Sequence, residues 1–392
     1  MERLFGIIGI IGIIGLVYLL SPNKKKVNWV SVGIAFTSQF ILTFLLIRTP
    51  LWKVVEFCSN IITNLLGYAS EGINFVFGGL VPEGGFVFFL NSLLPIVFIS
   101  SLIGLLFHFG VIQKFVKVVG LTIAKLFKVD PLVAVNGVAN CFLGQSESIF
   151  VTKNYLPKAS TSVVFATLVG GMTSISVGVI GLYAGYGADI SWILVSIPLT
   201  VLSALTLLQL YAPTEYKEAD DLEISNEGVG VNFIETMVNY GSSGFKGVVG
   251  ISVALMVFLS FVALINGILG SLGLGLTLES ILGVVFYPLA LVMGVPSAEV
   301  SQVAGILATK LVTNEAVAFG LPAFAMLSVK AKAMMTVALC GFAGFGSIGI
   351  MLGGYSAIAP NKVPTVAKLG VKALLLATLV NILSGAVVGL FI

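Results

Sequence analysis

Two short polar motifs interrupt long apolar stretches of this chain: Gln145-Ser146-Glu147 and Thr313-Asn314-Glu315. Each motif combines a carboxylate with amide or hydroxyl groups, which together donate and accept hydrogen bonds. An ionisable side chain inside an apolar segment of membrane-spanning length is costly and by default marks a functional site. Each motif is followed about thirty residues later by a Ser-Ile/Val-Gly run. The sequence therefore indicates one site built from two similar halves.

The two motifs predict different binding chemistry. The first offers an amide, a hydroxyl and a carboxylate, a set that suits a planar polar ring. The second offers a carboxamide and a carboxylate that suit hydroxyl groups such as those of a sugar. In the alternative, each glutamate pairs with the nearest lysine in the sequence, Lys153 for the first motif and Lys310 for the second. Two matched acids in matched positions favour binding over pairing.

A cation site is also predicted beside the first motif. Sodium needs oxygen ligands, which side chains and the backbone carbonyls at helix breaks supply in transporters. Asn140 precedes the first motif, and Ser174 lies in a later helix break. Hydrogen bonding between helices is common for Asn and Ser in membranes and explains the same two residues equally well.

The composition places the chain in a membrane. Of its 392 residues 58% are hydrophobic and only 9% are charged, whereas soluble domains carry about 25% charged residues. Apolar stretches of roughly 20 residues recur along the chain, which predicts helical spans rather than a β-barrel. The net charge of +3 is too small for a nucleic-acid partner. The three cysteines and the single histidine show no metal-ligand spacing.

The elements that must position these motifs form an all-α polytopic membrane protein with about eight transmembrane helices. Two segments are too polar for a full crossing, so they are predicted to be re-entrant hairpins whose tips lie in protein or in a wet cavity. The predicted divisions are two N-terminal transmembrane helices (1–50), an interfacial amphipathic helix region (51–86), a first repeat (87–211) with a hairpin at 130–157, a cytoplasmic linker (212–246), and a second repeat (247–392) with a hairpin at 296–327.

Lysine patches set the expected orientation. Lys24–Lys26 is expected on the cytoplasmic side, which places the N-terminus outside. Patches at 114–128, 153–158 and 362–372 obey the same rule. Lys330 and Lys332 fall outside, against the rule. Because the rule is a bias, the topology that four patches support is kept.

The two halves align on two independent anchors. The glutamates are offset by 315 − 147 = 168 residues, and the serines that begin Ser176-Val177-Gly178 and Ser347-Ile348-Gly349 by 347 − 176 = 171. Each half is predicted to cross three times, so the second copy is inverted. Inverted repeats with paired broken helices are typical of secondary transporters. An intramembrane enzyme would need a nucleophile and base or a metal cluster, and a channel would not need two inverted hairpins.

In these motifs the chain resembles the concentrative nucleoside transporter family. The run from Asn140 to Glu147 resembles the family's Asn-x3-Gly-Gln-Thr-Glu signature, and the run from Asn314 to Phe319 resembles its Asn-Glu-Phe-Val-Ala-Tyr hairpin. The run from Cys340 to Ile348 resembles its Cys-Gly-Phe-Ala-Asn-Phe-Ser-Ser-Ile segment. The likeness covers nearly the whole chain, in order.

The resemblance implies a homotrimeric symporter of the bacterial cytoplasmic (inner) membrane that couples nucleoside import to a cation gradient by an elevator-type motion. It implies base contacts from Gln145, Ser146, Glu147 and Val179, and ribose contacts from Glu315, Phe342 and Ser347. It implies a sodium site made of Asn140, Ser174 and the backbone carbonyls of Leu143 and Ile175. The presence of Asn140 favours sodium over protons as the coupling ion.

Two positions depart from the family pattern. Gly344 stands where the family has a ribose-binding asparagine, and Ser146 replaces threonine but keeps the hydroxyl. Loss of the asparagine side chain would widen the cavity, which predicts a base preference shifted toward purines. The alternative function is a proton-coupled carrier of nucleobases or another polar metabolite on the same scaffold.

Overall fold

The computed structural model describes residues 2–80, 87–145, 147–219, 222–226, 228–273 and 275–392. These residues form helices and no strand. The N-terminal helices are α1 (Glu2–Leu20), α2 (Trp29–Arg48) and α3 (Trp52–Phe77). Asn28 begins α2 because its side chain accepts hydrogen bonds from backbone amides that have no partner inside the helix.

The first repeat begins at a π-helical turn, Phe89–Leu93, and contains two helices, a hairpin, a broken span and a closing helix. Its helices are α4 (Pro95–His108), α5 (Val111–Phe127), α6 (Pro131–Leu143), α7 (Glu147–Phe150), α8 (Thr161–Thr173), α9 (Ile180–Gly185) and α10 (Ile190–Tyr211). The hairpin is α6 and α7, and the broken span is α8 and α9.

The second repeat has the same order of parts. Its helices are α11 (Phe233–Ser271), α12 (Leu278–Met293), α13 (Val300–Val312), α14 (Glu315–Gly320), α15 (Pro322–Ala325), α16 (Val329–Leu339), α17 (Phe345–Ile358) and α18 (Val363–Gly389). The hairpin is α13 to α15, and the broken span is α16 and α17.

Side-chain contacts hold the arms of each hairpin together. In the first hairpin Nδ2 of Asn136 donates to Oγ1 of Thr152 at 2.6 Å; these residues lie eight positions before and eight after Gly144. In the second, Oε2 of Glu299 accepts from the hydroxyl of Ser328 at 2.8 Å. Both segments are therefore hairpins. That they enter and leave the membrane on one side remains a prediction.

The membrane-spanning helices confirm an all-α polytopic membrane protein. Seven segments of the described chain are long and apolar enough to cross: Glu2–Leu20, Trp29–Arg48, Phe89–His108, Thr161–Gly185, Ile190–Tyr211, Phe233–Ser271 and Pro360–Gly389. The eighth predicted crossing consists of α16 and α17, separated by the non-helical residues 340–344.

Contacts between distant segments agree with the predicted sides. Nζ of Lys362 donates to the carbonyl of Ala159 at 2.6 Å, which joins two lysine patches predicted to be cytoplasmic. Nζ of Lys330 lies 3.1 Å from Oε2 of Glu2. The start of α16 is therefore on the same side as the N-terminus, as the inverted repeat requires despite the charge rule.

The repeats interlock at the hairpins. The short arm α7 packs against α17 of the second repeat, and α14 packs against α9 of the first. Helix α18 packs against both α8 and α16. Each hairpin tip therefore meets the broken span of the opposite repeat, which brings the two polar motifs to one region.

The segment between α10 and α11 is shorter than the sequence pattern suggests. Helix α11 begins at Phe233, whereas the predicted linker extends to residue 246. Before it, the amide of Ser225 donates to the carbonyl of Val151 at 3.0 Å, and Leu222 is buried. Part of this acidic segment therefore packs against the first hairpin and is not simply exposed to solvent, as its charged composition alone would indicate.

Candidate functional site

The first hairpin turns at Gly144, the residue directly after α6. Gly144 has a φ of +102°, a conformation that residues with a Cβ rarely adopt. A Cβ here would lie 3.2 Å from Oε2 of Glu147 and 3.8 Å from Oγ of Ser176. The exposed Glu147 carboxylate therefore lies over the tip, near the break between α8 and α9. Ser146, predicted to contact the base, lies outside the described residues.

Gln145 is buried at the same tip with an unused acceptor. Its side chain is 7% exposed, and Oε1 has no hydrogen-bond partner among the described residues. Its Cβ lies 3.6 Å from where a Cβ of Gly171 would be, so it faces the last turn of α8. Val179 is buried in the 3-10 turn between α8 and α9. A buried oxygen without a donor is costly, and a ligand donor would remove that cost.

The predicted sodium ligands lie on two facing elements, the end of α6 and the break after α8. Nδ2 of Asn140 donates to the carbonyls of Gly170 and Gly171 at 3.1 and 3.3 Å. Its Oδ1 is buried and has no partner among the described residues. In the break, Oγ of Ser174 lies 3.4 Å from the carbonyl oxygen of Ile175.

Leu143 completes this set through its backbone. It is the last residue of α6, where carbonyls lack partners inside the helix. The helix-packing alternative accounts for the amide hydrogens of Asn140, which bond to α8, but leaves its Oδ1 unexplained. Since oxygens are the ligands that sodium takes at such breaks, the residues present fit a sodium ion.

The second tip holds a buried carboxylate between the repeats. Glu315 begins α14, is 8% exposed, and its Oε1 accepts a hydrogen bond from the hydroxyl of Tyr183 at 2.9 Å. Tyr183 lies on α9, in the first repeat. Oδ1 of the neighbouring Asn314 caps α14 by accepting a hydrogen bond from the amide of Val317 at 3.0 Å.

The second broken span supplies Phe342 and Ser347. Phe342 is half-buried, and its carbonyl accepts hydrogen bonds from the hydroxyl of Ser347 and the amide of Gly344. A Cβ at Gly344 would lie 3.2 Å from the carbonyl oxygen of Lys310 and 3.3 Å from that of Thr313. The end of α13 therefore packs directly against this glycine. The widening of the cavity that the sequence predicted at this position is not seen, because the α13 backbone occupies the space, and the purine preference inferred from that widening loses its basis.

Lys310 and Glu315 attract each other electrostatically, but their hydrogen bonds go to other partners. Nζ of Lys310 donates to the carbonyl of Ala338 at 2.7 Å and to Oδ1 of Asn381 at 2.9 Å, while Glu315 takes its hydrogen bond from Tyr183. The carboxylate keeps its second oxygen, Oε2, as a possible acceptor for a ligand.

Sequence reasoning missed two residues that organise the site, Tyr183 and Asn381. The sequence does contain a signal for Tyr183: the aligned runs that begin at Ser176 and Ser347 both end in tyrosine, at Tyr183 and Tyr355. The hydroxyl of Tyr355 also forms a buried hydrogen bond, to Oγ1 of Thr167 at 2.5 Å. Asn381 lies in the apolar α18 with no repeated pattern around it, so only packing identifies its partners.

Comparisons with known proteins bear on this geometry. Models described as "Na+ dependent nucleoside transporter C-terminus" and "N-terminus" match residues 192–389 and 8–80. The nucleoside permease NupC of Helicobacter pylori is 31% identical, over 99% of this chain and 98% of that protein. CNTnw in an inward-facing substrate-bound state superposes with a TM-score of 0.91 at 33% identity, over 100% of this chain and 98% of that one. A CNTnw variant in an outward-facing state gives 0.93 at 32% identity, over 100% and 99%.

Proposed function

Because the chain belongs to the family of Na+ dependent nucleoside transporters, we propose that it imports nucleosides across the bacterial cytoplasmic membrane by sodium symport. It is a multi-pass integral membrane transporter and not an enzyme. The observation that carries the proposal is the position of two buried carboxamide oxygens, Oδ1 of Asn140 and Oε1 of Gln145: both lie at or near the first tip, beside the break after α8, and neither has a partner among the described residues.

In this proposal the first hairpin binds the base. Gln145 turns its free oxygen to a donor on the ring, and the carboxylate of Glu147 accepts a second hydrogen bond at the tip. Val179 contributes an apolar surface against the ring, and Ser146 adds a hydroxyl. A base carries donors and acceptors on its edge and apolar faces, so this mixture of groups suits it.

The second hairpin and its partner span bind the ribose. Glu315 accepts hydrogen bonds from sugar hydroxyls through the oxygen that Tyr183 leaves free, and Ser347 and Phe342 line the same side. Charge-assisted hydrogen bonds of this kind are roughly twice as strong as neutral ones. Gly344 offers no side chain, so ribose recognition depends more on Glu315 here than in relatives with an asparagine.

Sodium would be held by Oδ1 of Asn140, the hydroxyl of Ser174 and the carbonyls of Leu143 and Ile175. The ion would supply a positive charge that satisfies these oxygens and holds the break of α8 against α6. Removal of that charge leaves the Asn140 oxygen buried and unpaired, which costs free energy. Occupancy is therefore expected to order the first tip and favour nucleoside binding.

Alternating access is proposed to move the two hairpins and their partner spans together, as an elevator, relative to the rest of the trimer. The interlocking of α7 with α17 and of α14 with α9 supports such a unit. The superposition on inward-facing and outward-facing structures supports a scaffold that adopts both states. The homotrimer is part of the same proposal.

Counterflow in proteoliposomes tests this function. Vesicles loaded with unlabelled uridine or inosine are expected to exchange labelled nucleoside in sodium buffer, and to exchange much less when choline replaces sodium. Uptake that is equal in choline but driven by an imposed proton gradient would contradict sodium coupling. Exchange of nucleobases without nucleosides would favour the alternative carrier.

A further inference from the structure

Lys310 carries a positive charge in the interior of the second repeat. It lies in the last turn of α13, is 3% exposed, and donates to the carbonyl of Ala338 and to Oδ1 of Asn381. The carboxylate of Glu315, five residues further along, attracts it electrostatically. A lysine at this depth is costly and is retained where it has a function. None of the nucleoside or sodium contacts proposed above uses it.

Asn381 connects this lysine to the first repeat. Its Nδ2 donates to the carbonyl oxygen of Thr173 at 2.7 Å, while its Oδ1 accepts from Lys310. Thr173 is the last residue of α8 and directly precedes Ser174, a proposed sodium ligand. Gly341 makes the arrangement possible, since a Cβ there would lie 2.5 Å from the Asn381 amide and 2.6 Å from the Thr173 oxygen.

Asn140 in the first repeat and Lys310 in the second occupy comparable positions in their hairpins but differ in chemistry. Asn140 lies near the tip end of α6 and donates to carbonyls in the last turn of α8; Lys310 lies near the tip end of α13 and donates to a carbonyl in the last turn of α16. The first arm presents a neutral amide with an unpartnered oxygen. The second arm presents an amino group that donates its hydrogen bonds to protein oxygens. The oxygen on α6 therefore requires an external cation such as sodium, whereas α13 places the amino group of Lys310 at the comparable position.

We propose that Lys310 is a positioning residue that couples the sodium site to the nucleoside site, by tying the second hairpin through Asn381 to the backbone that carries the sodium ligands. The inference rests on the proposed sodium symport. Sodium orders the backbone of residues 174 and 175, and this sets the direction of the neighbouring Thr173 carbonyl. A shift of the Thr173 carbonyl therefore moves Asn381, and Asn381 moves Lys310 through their hydrogen bond. Lys310 lies in the last turn of α13, three residues before the tip motif that begins at Thr313.

Three variants separate coupling from stability. Asn381→Asp keeps an acceptor for Lys310 but loses the amide that donates to Thr173, so it breaks one link only. Lys310→Met removes the charge at similar length. The matched control is Ser384→Ala on the same helix, which removes a buried hydrogen bond to Ser203 of 2.7 Å that touches neither site.

The measurement is uridine (and inosine) binding to purified protein by calorimetry across a sodium titration. In the unchanged protein and in Ser384→Ala, sodium is expected to raise affinity by roughly 5- to 150-fold, the usual range for coupled sites. In Asn381→Asp and Lys310→Met this gain is expected to fall at least about fivefold, from the same range. The rise in melting temperature that sodium alone causes is expected to persist, because no sodium ligand is changed.

The outcomes are distinct. A full sodium-induced gain in both variants overturns the inference and leaves sodium symport standing. Absence of any sodium effect in the unchanged protein removes the proposed symport, and the inference with it. If Lys310→Met does not give monodisperse protein, Asn381→Asp decides alone. A gain reduced equally in Ser384→Ala would assign the effect to general destabilisation of α18 and overturn the proposal.

Discussion

Replacement of Glu315 by glutamine tests the second tip with the least change of shape. In the structure Oε1 accepts from the hydroxyl of Tyr183 at 2.9 Å, and the side chain is buried. Glutamine can keep that contact through its own carbonyl oxygen. The other oxygen becomes an NH2 group, so an acceptor for a sugar hydroxyl is exchanged for a donor and the negative charge is lost.

The expected loss follows from the strength of a buried hydrogen bond to a charged group. Such a bond contributes about 1.5–3 kcal/mol. Since 1.36 kcal/mol corresponds to a factor of ten, nucleoside affinity is expected to fall roughly 10- to 150-fold. The absence of a side chain at Gly344 leaves no neighbouring amide to compensate, so the upper part of this range is expected.

Affinity is measured by calorimetry in saturating sodium, and uptake is measured in proteoliposomes. Glu299→Gln is the matched control, because Glu299 belongs to the same hairpin but lies at its base, where it bonds to Ser328. Wild-type affinity is expected for that variant. Tyr183→Phe, which removes the donor but leaves the carboxylate, is expected to bind nucleoside more weakly than wild type but better than Glu315→Gln.

An affinity for Glu315→Gln within about twofold of wild type would refute this reasoning, because even the weakest charged hydrogen bond is worth more. Equal losses in Glu315→Gln and Glu299→Gln would also refute it, since the effect would then come from the stability of the hairpin. Monodisperse elution and unchanged membrane insertion of each variant are the necessary controls.

Three further predictions concern the first tip and the glycine beside the second. Glu147→Gln is expected to lower nucleoside affinity by roughly 10- to 150-fold while sodium alone still raises the melting temperature; unchanged uptake would return Glu147 to a structural role. Asn140→Leu is expected to abolish both the sodium-induced rise in melting temperature and the sodium dependence of uptake, and retention of either would contradict the sodium site. Gly344→Asn is expected to lower uptake of uridine and of inosine alike, because the added Cβ would lie 3.2 Å from the carbonyl oxygen of Lys310 and would displace the end of α13; wild-type uptake of both nucleosides would contradict this close packing.

The architecture was largely readable from the sequence because it follows from local patterns. Apolar segments long enough to span recur along the chain, and each break in them falls at a polar or glycine-containing run such as Gly144 or the residues before Phe345. The same patterns recur at offsets of 168 and 171 residues, so the internal repeat also needs no coordinates. Helix ends were harder to predict: α11 begins at Phe233, fourteen residues before the predicted start of the second repeat at 247, because Asn232 caps the helix within a polar stretch.

The site was predictable as a set of residues, but not as a set of contacts. The polar residues at the tips stand out because they are rare in this composition. Their hydrogen-bond partners do not stand out in the sequence. Asn314 caps α14, and Glu315 accepts a hydrogen bond from Tyr183. Lys310 donates to Ala338 and Asn381. Each buried polar group must find a partner, and several candidates lie at similar distances along the chain.

The sequence by itself determined a helical membrane protein with two similar halves and an acid in each, because hydropathy and helix-breaking residues act locally. Only the tertiary structure showed which residues of one half contact the tip of the other half. Glu315 meets Tyr183 across 132 positions, and Asn381 meets Thr173 across 208. Such pairs depend on how α14 packs against α9 and how α18 packs against α8, a property of the assembled fold.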